Sequence, residues 1–344
     1  MHLIVEFTFL NSGKNVSKYR KRYFGEGENA IICTIINIKD ILIDNTNFKM
    51  KNYSQINISL GEAMEQVMME QKKGSFFEIK SGIRCLDILT GGWYPGELCV
   101  VGGRPAMGKT AFILNAISHV IQSGTPAALL SATDGMNLHF ISRIASCLLS
   151  KENLCNEDKE VAMLKDKTLQ NLPLYLNLQT RLSLDFIRES CDSLVKEKGV
   201  KIIFIETIQS IFDAEPNGNS REGMERVCYE LKCLAEQLNV PIVISSELDR
   251  SCEDRECVLG PIPRVMDLRS SSAIESKSDS VYLLYRPEYY HIYQDEKGIE
   301  LTDTMKIIVA KKRGGNYGEV SVKFEKHNSR IYDKDVYIEE MLNR

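Results

Sequence analysis

The 344-residue sequence predicts an α/β fold, a mostly parallel central sheet covered by helices. Three observations predict it. Apolar segments of strand length alternate with helical stretches through the middle of the chain; a glycine-rich turn separates the first such strand from the first such helix; and the last strands follow one another closely, as partly antiparallel neighbours do.

In order, the strand segments are "ELCVVGG" (97–103), "AALLS" (127–131), "KIIFIE" (201–206), "VPIVISS" (240–246), "SDSVYLLYR" (278–286), "TMKIIVAKK" (304–312) and "EVSVKFE" (319–325). Helical stretches lie between the first four. Upstream, "SLGEAMEQVMMEQ" (59–71) puts Leu60, Met64, Val67 and Met68 on one side of a helix, and Ser59 with Glu62 forms a capping box at its start. The polar "QKKGS" after it is a linker, so the apolar stripe needs a cover from its own domain or a neighbouring subunit. Residues 1–50 read either as a small strand pair or as an arm. Their basic run "KYRKRYF" suits a solvated face better than a nucleic-acid contact. The division is therefore 1–58 an amino-terminal extension, 59–75 a linker helix and linker, 76–330 the α/β domain and 331–344 a tail.

With 43% hydrophobic and 26% charged residues the chain is an ordinary globular one, and its net charge of −4 excludes an overall polycation. No apolar run approaches the ~18 residues of a membrane span, and the start lacks the order of a secretory signal, so no membrane is expected and the location expected is cytoplasmic. The ten cysteines contain no CxxC pair and are expected to be reduced; Cys252 and Cys257 fit no common zinc spacing.

"GGRPAMGKT" holds Gly103-x-x-x-x-Gly108-Lys109-Thr110, a complete phosphate-loop signature between a strand and the helical "AFILNAISHVIQ". Its glycines let backbone amides face phosphates, Lys109 offers a cation to the outer phosphates, and Thr110 offers a hydroxyl to Mg²⁺. Arg104, Pro105, Ala106, Met107 and Ala111 complete the stretch expected to touch the nucleotide. ATP and Mg²⁺ are the expected cofactors. Such a site needs an acidic residue ending a buried strand, and "KIIFIE" supplies Glu206, one methylene longer than the more usual Asp.

At this point the residues resemble a family. The loop in "GGRPAMGKTAF", the strand "IIFIETIQSI", the segment "ISSELDR", the run "DLRSSSAIESKSDSVYLLYRPEYY" and the late "IIVAKKRGGNYGEV" follow the order and spacing of the helicase domain of the hexameric replicative DNA helicases called DnaB. "SGIRCLDILTGGWYPGEL" resembles that domain's entry, and the resemblance covers residues 76–330. It implies a RecA-like ATPase core, a ring of copies (a hexamer), single-stranded DNA threaded through the centre and unwound by ATP hydrolysis, and replisome proteins as further partners. It also implies roles: Glu206 falls on the metal-associated acid and Gln209, among the expected cofactor-binding residues, on a Gln next to that strand. Lys311 and Arg313 match the pair reaching the neighbouring subunit's phosphates, Arg313 as the arginine finger. The helix of 59–71 matches the linker helix that docks on the adjacent subunit; residues 1–50 do not resemble the family's amino-terminal domain.

Three departures bear on the chemistry. "SATDGM" (131–136) stands where the family carries a catalytic Glu, leaving Asp134 as the nearby carboxylate; Glu206 replaces Asp; and Glu247 and Asp249 replace Gln and Asn in "SSELDR". A carboxylate facing a γ-phosphate is repulsive unless a cation such as Arg250 pairs with it; alternatively Glu247 has become the base that orients water. The departures point to slow hydrolysis. Between 249 and 277, Arg250, Arg255, Arg264, Arg269 and Lys277 suit sequence-independent contact with DNA phosphates, or pair with Glu253, Asp254, Glu256 and Asp267 nearby. The leading reading is the helicase motor. Its rivals are an ATP-binding, hydrolysis-deficient regulatory or ring-subunit protein and a RecA-like recombinase or signalling ATPase.

Overall fold

The computed structural model describes residues 78–132, 143, 145–147, 167–211, 221–255, 260–268, 271–326 and 329–334, all within the compact unit Glu70–Arg344. The extension of residues 1–58, the linker of 59–75, Asp134 and Arg269 lie outside the described residues.

Among the described residues, one nine-stranded sheet carries the fold, with strand order β3-β2-β4-β5-β1-β6-β7-β8-β9. The strands are β1 Leu98–Gly103, β2 Ala127–Ala132, β3 Leu174–Gln179, β4 Ile202–Glu206, β5 Ile242–Glu247, β6 Ser280–Tyr285, β7 Thr304–Lys312, β8 Gly318–Glu325 and β9 Arg330–Asp333. From β3 to β6 every pairing is parallel; β6, β7, β8 and β9 pair antiparallel. The fold class read from the sequence is the observed one. Two strands were not legible there: β3, at the sheet edge, and β9, which carries the sheet past residue 330.

The central strands are buried on both sides, so they read as continuous apolar runs rather than alternating ones. Alternate residues feed two cores. Cys99, Val101, Leu129, Phe204, Val243 and Tyr282 point into one, under the helix α2 (Lys109–Gln122); Val100, Leu130, Ile203, Ile205, Ile244 and Leu283 point into the other, under α4 (Leu184–Lys198) and α5 (Arg221–Leu238). Trp93 packs edge-on against Phe112 and Phe204 in the first core. Each such fully buried aliphatic side chain stabilises the fold by about 1.5–3 kcal/mol before chain entropy is counted.

Local signals set the helix ends. α4 begins where the Ser183 side chain accepts from the Phe186 amide and ends at Gly199 in the left-handed conformation, with Asp185 in its first turn and Lys196 and Lys198 in its last. α1 (Arg84–Thr90) has no capping side chain of its own at Ile83; instead Asp333, at the end of β9, accepts from the Arg84 and Cys85 amides at 2.7 and 2.8 Å. A carboxylate from the far end of the chain thus closes the first helix. Two short helices are α3 (Lys167–Gln170) and α6 (Ser271–Lys277).

Candidate nucleotide-binding site

β1 runs into the phosphate loop, and α2 starts at Lys109. Gly108 holds φ +94°, a conformation that favours glycine, and a Cβ there would come to 2.5 Å from the Met305 methyl, which would have to swing aside. Ala106 also takes a positive φ, and its carbonyl accepts from Arg286 Nη1 at 2.9 Å. Arg286 is 8% exposed and lies over the Phe324 ring, and it clamps the loop tip from below. Pro105 and Ala106 are exposed at that tip, whereas Met107 and Ala111 are buried in the core beneath it.

Lys109 Nζ donates to the carbonyls of Gly103 (2.7 Å) and Arg104 (3.2 Å). Burial lowers its pKa, against the favourable charges of Glu247 and Glu206. The ammonium therefore sits desolvated between two carboxylates, held by neutral carbonyls. Glu206 ends β4, and its Oε1 accepts from the Thr110 hydroxyl. Burial raises the Glu206 pKa, opposed by the Thr110 hydrogen bond and by the charges of Arg143 and Lys109. A hydroxyl beside a desolvated carboxylate is a pair of hard oxygen donors that suits Mg²⁺, and the cation would offset the cost of burying that charge.

Gln209 bridges the ends of β4 and β5. Its Oε1 accepts from the Thr207 hydroxyl (2.7 Å) and the Glu247 amide (3.2 Å), while Nε2 donates to Ser246 Oγ (3.1 Å). Glu247 pairs in register with Gly103, so the strand order brings the phosphate loop, Glu206, Gln209 and Glu247 to one end of the sheet. The charge of Glu247 acts on Lys109, and that of Arg250 on Glu253.

Arg104 turns its side chain away from the loop. It donates to the Leu248 carbonyl (3.0 Å) and pairs with Glu253, which also accepts from the Tyr290 hydroxyl. The residues read as DNA contacts have separate surroundings. Arg255 is committed to Asp267, which is buried, and to the Ile262 carbonyl; Arg250 and Arg264 are exposed; Lys277 lies 5.2 Å over the Tyr229 ring.

Lys311 and Arg313 lie at the opposite end of the sheet from the phosphate loop, where β7 finishes beside the start of β6. Lys311 Nζ donates to the carbonyls of Glu275 and Ser278. Arg313 Nη1 lies 3.2 Å from Asp279 Oδ1, with the Arg313 side chain 62% exposed. The sequence reading missed Thr207, Ser246, Arg286, Glu97, Lys232 and Asp279. Of these Glu97 and Asp279 each left a local signal, a carboxylate directly before an apolar strand. Among the described residues no group of acids, histidines and cysteines forms a metal cluster, and no helix is long and apolar enough to cross a membrane.

With this geometry in view, comparison with known proteins is specific. Residues 78–333 match the family described as the DnaB-like helicase C terminal domain. The chain is 30% identical over 311 residues to the replicative DNA helicase DnaC of Bacillus subtilis (strain 168), covering 88% of this chain and 62% of that protein. It is 29% identical over 329 residues to a probable replicative DNA helicase of Trieres chinensis, covering 90% and 70%. Among solved structures, one described as an ATPase domain superposes with a TM-score of 0.67 at 25% identity, over 80% of this chain and 98% of that one. A DnaB-like replicative helicase, described with its interactions with primase, superposes with a TM-score of 0.65 at 23% identity, over 86% and 72%. A sheet with the phosphate loop, its acid and its bridging Gln at one end, matched across nearly all the described residues, places this chain in the DnaB-like helicase family by its C-terminal ATPase domain.

Proposed function

We propose that the chain is the motor subunit of an ATP-driven replicative DNA helicase, one that joins copies of itself in a ring and uses hydrolysis to move along single-stranded DNA and part the duplex. The observation that carries it is the meeting of Lys109 and Thr110, at the start of α2, with Glu206 at the end of β4, inside a domain of this family. Lys109 leaves the Gly103 and Arg104 carbonyls to bind the outer phosphates, which offer it charge in place of neutral oxygen. The amides of Gly108, Lys109 and Thr110, at the positive end of α2, would receive the phosphates. The Thr110 hydroxyl and the Glu206 carboxylate would hold Mg²⁺, which when bound neutralises charge on the phosphate oxygens.

Glu247, whose amide donates to Gln209, is the candidate to take a proton from the attacking water, with Asp134 the second candidate. Arg313 acts as the finger toward the neighbouring subunit's nucleotide, with Lys311 beside it. Arg250, Arg264, Arg269 and Lys277 are the DNA-phosphate contacts; Arg255 serves its loop through Asp267.

The test is ATP hydrolysis by the purified protein with and without single-stranded DNA, with Lys109→Ala as the blank. Hydrolysis that rises with DNA and falls by about 10²–10³-fold in the blank is expected. Nucleotide binding without hydrolysis in either condition would replace the motor by a ring subunit that binds ATP and drives nothing.

A further inference from the structure

The turn that carries Arg313 is fastened to the far end of the strand that carries the phosphate loop. Asp279, 4% exposed by its side chain, is the fastening. Its Oδ2 accepts from the Leu98 amide (2.9 Å) and from Lys232 Nζ (2.7 Å); its Oδ1 lies 3.2 Å from Arg313 Nη1; and its carbonyl accepts from the Arg313 amide (2.8 Å). Lys232 also donates to the Gly96 carbonyl and pairs with Glu236, so the buried carboxylate is braced from α5. Next to it Lys312 is held by Glu97 and the Gly92 carbonyl. Glu97 and Asp279 thus bracket Leu98, the first residue of β1, and each takes one of the two consecutive cations Lys312 and Arg313. From Leu98 the strand reaches Gly103, the first phosphate-loop glycine, in about 17 Å.

A buried carboxylate needs its partners, and here the partners include an exposed arginine that a purely structural pair does not require. We propose that Asp279 is a positioning residue: it fixes the Arg313 turn to β1, so that the finger a subunit offers its neighbour is set by the strand that holds its own nucleotide. This rests on the ring reading above, in which Arg313 works in trans. Asp279 touches no nucleotide; its effect passes through Arg313. Misplacing a charge-stabilising group by about 1 Å is enough to cost on the order of a hundredfold in rate.

The experiment compares Asp279→Asn with Arg313→Ala and Lys109→Ala, alone and mixed, in DNA-stimulated ATP hydrolysis. Alone, Asp279→Asn is expected to lose about ten- to a hundredfold in kcat while its affinity for a fluorescent ATP analogue stays within about twofold of the parent. Mixed with Lys109→Ala, it is expected to regain activity above either alone, because its intact phosphate loop then meets an intact Arg313 turn on the neighbour. A variant that is merely less stable gains nothing from that mixture. Where Asp279→Asn fails to fold, the double variant Asp279→Asn with Lys232→Gln takes its place, since it leaves no buried cation unpaired. Arg313→Ala mixed with Lys109→Ala is the control. If the control regains activity and Asp279→Asn does not, or if Asp279→Asn alone hydrolyses as fast as the parent or faster, Asp279 does not position the finger. If the control itself regains nothing, Arg313 does not act in trans, and the reading beneath the proposal falls with it.

Discussion

The two ends of β1 are built by opposite rules. At its carboxyl end the charges are under-satisfied: Lys109 hydrogen-bonds neutral carbonyls, and Glu206 is desolvated with a hydroxyl for company. At its amino end they are matched, Glu97 with Lys312 and Asp279 with both Lys232 and Arg313. Burying a charge is costly unless something compensates it, so the first arrangement stores a demand that a phosphate and a divalent cation meet, while the second meets its demand within the chain. One end is shaped to receive a ligand and the other to hold a geometry. Removing a charge at the receiving end should therefore cost chemistry, and removing one at the holding end should cost stability or aim.

The sharpest test of that contrast is Arg313→Ala. Its side chain is largely exposed, so its loss should leave thermal stability close to the parent while DNA-stimulated kcat falls by about 10³–10⁵-fold, measured at saturating ATP. A Tm that falls with activity nearly unchanged would leave Arg313 only its structural pairing with Asp279, and the holding end would then set no aim. Next in size is Glu97→Ala. It strands Lys312, which is 2% exposed, and should cost about 3–5 kcal/mol in denaturant unfolding. Replacing both partners, Glu97→Met with Lys312→Met, should recover most of that loss, because no buried charge remains. Lys109→Ala at the other end should leave the Tm of the nucleotide-free protein unchanged or raised, since burial already disfavours that ammonium.

The same contrast explains what could be read from the sequence. The receiving end was legible because its parts are local: Gly103 to Thr110 is one unbroken stretch, and "KIIFIE" announces a buried strand ending in an acid. β7 was legible to the residue, as an apolar run with clear bounds. The holding end was not, because its pairs are made by topology: Lys232 and Asp279 stand 47 residues apart, Glu97 and Lys312 215 apart. Glu97 and Asp279 each stand before an apolar strand, but nothing local names the cation that either takes. β3 escaped notice because "LYLNLQ" is half-buried at the sheet edge and mixes Asn and Gln among its leucines. β9 has four residues whose strand character comes from pairing with β8. Nearness in sequence offers Arg250 to Glu247; the sheet register sets Glu247 beside Gly103, and its charge also acts on Lys109.

Arg104 and Glu253 join the two rules, since an arginine of the phosphate loop is paired as charges are at the holding end. The hydrogen bond and charge of Arg104 hold the Glu253 carboxyl below 4.5. In the unfolded chain that carboxyl binds its proton more readily, so the pair contributes stability above about pH 4.5 and loses it as pH falls through the lowered folded value. Glu253→Gln should therefore lower the Tm by about 1–2 °C near pH 7, with the difference from the parent shrinking below pH 4.5. Glu253 is part-exposed, so solvent keeps the effect small. The informative readout is the shape of the difference across pH, set beside hydrolysis at pH 7. A Tm difference that persists unchanged at low pH would mean that Glu253 acts by packing and through the Tyr290 hydroxyl, not through the charge of Arg104. A difference that vanishes on schedule, with hydrolysis altered as well, would show that the loop's own arginine must be anchored outside the loop for the phosphate cradle to keep its form.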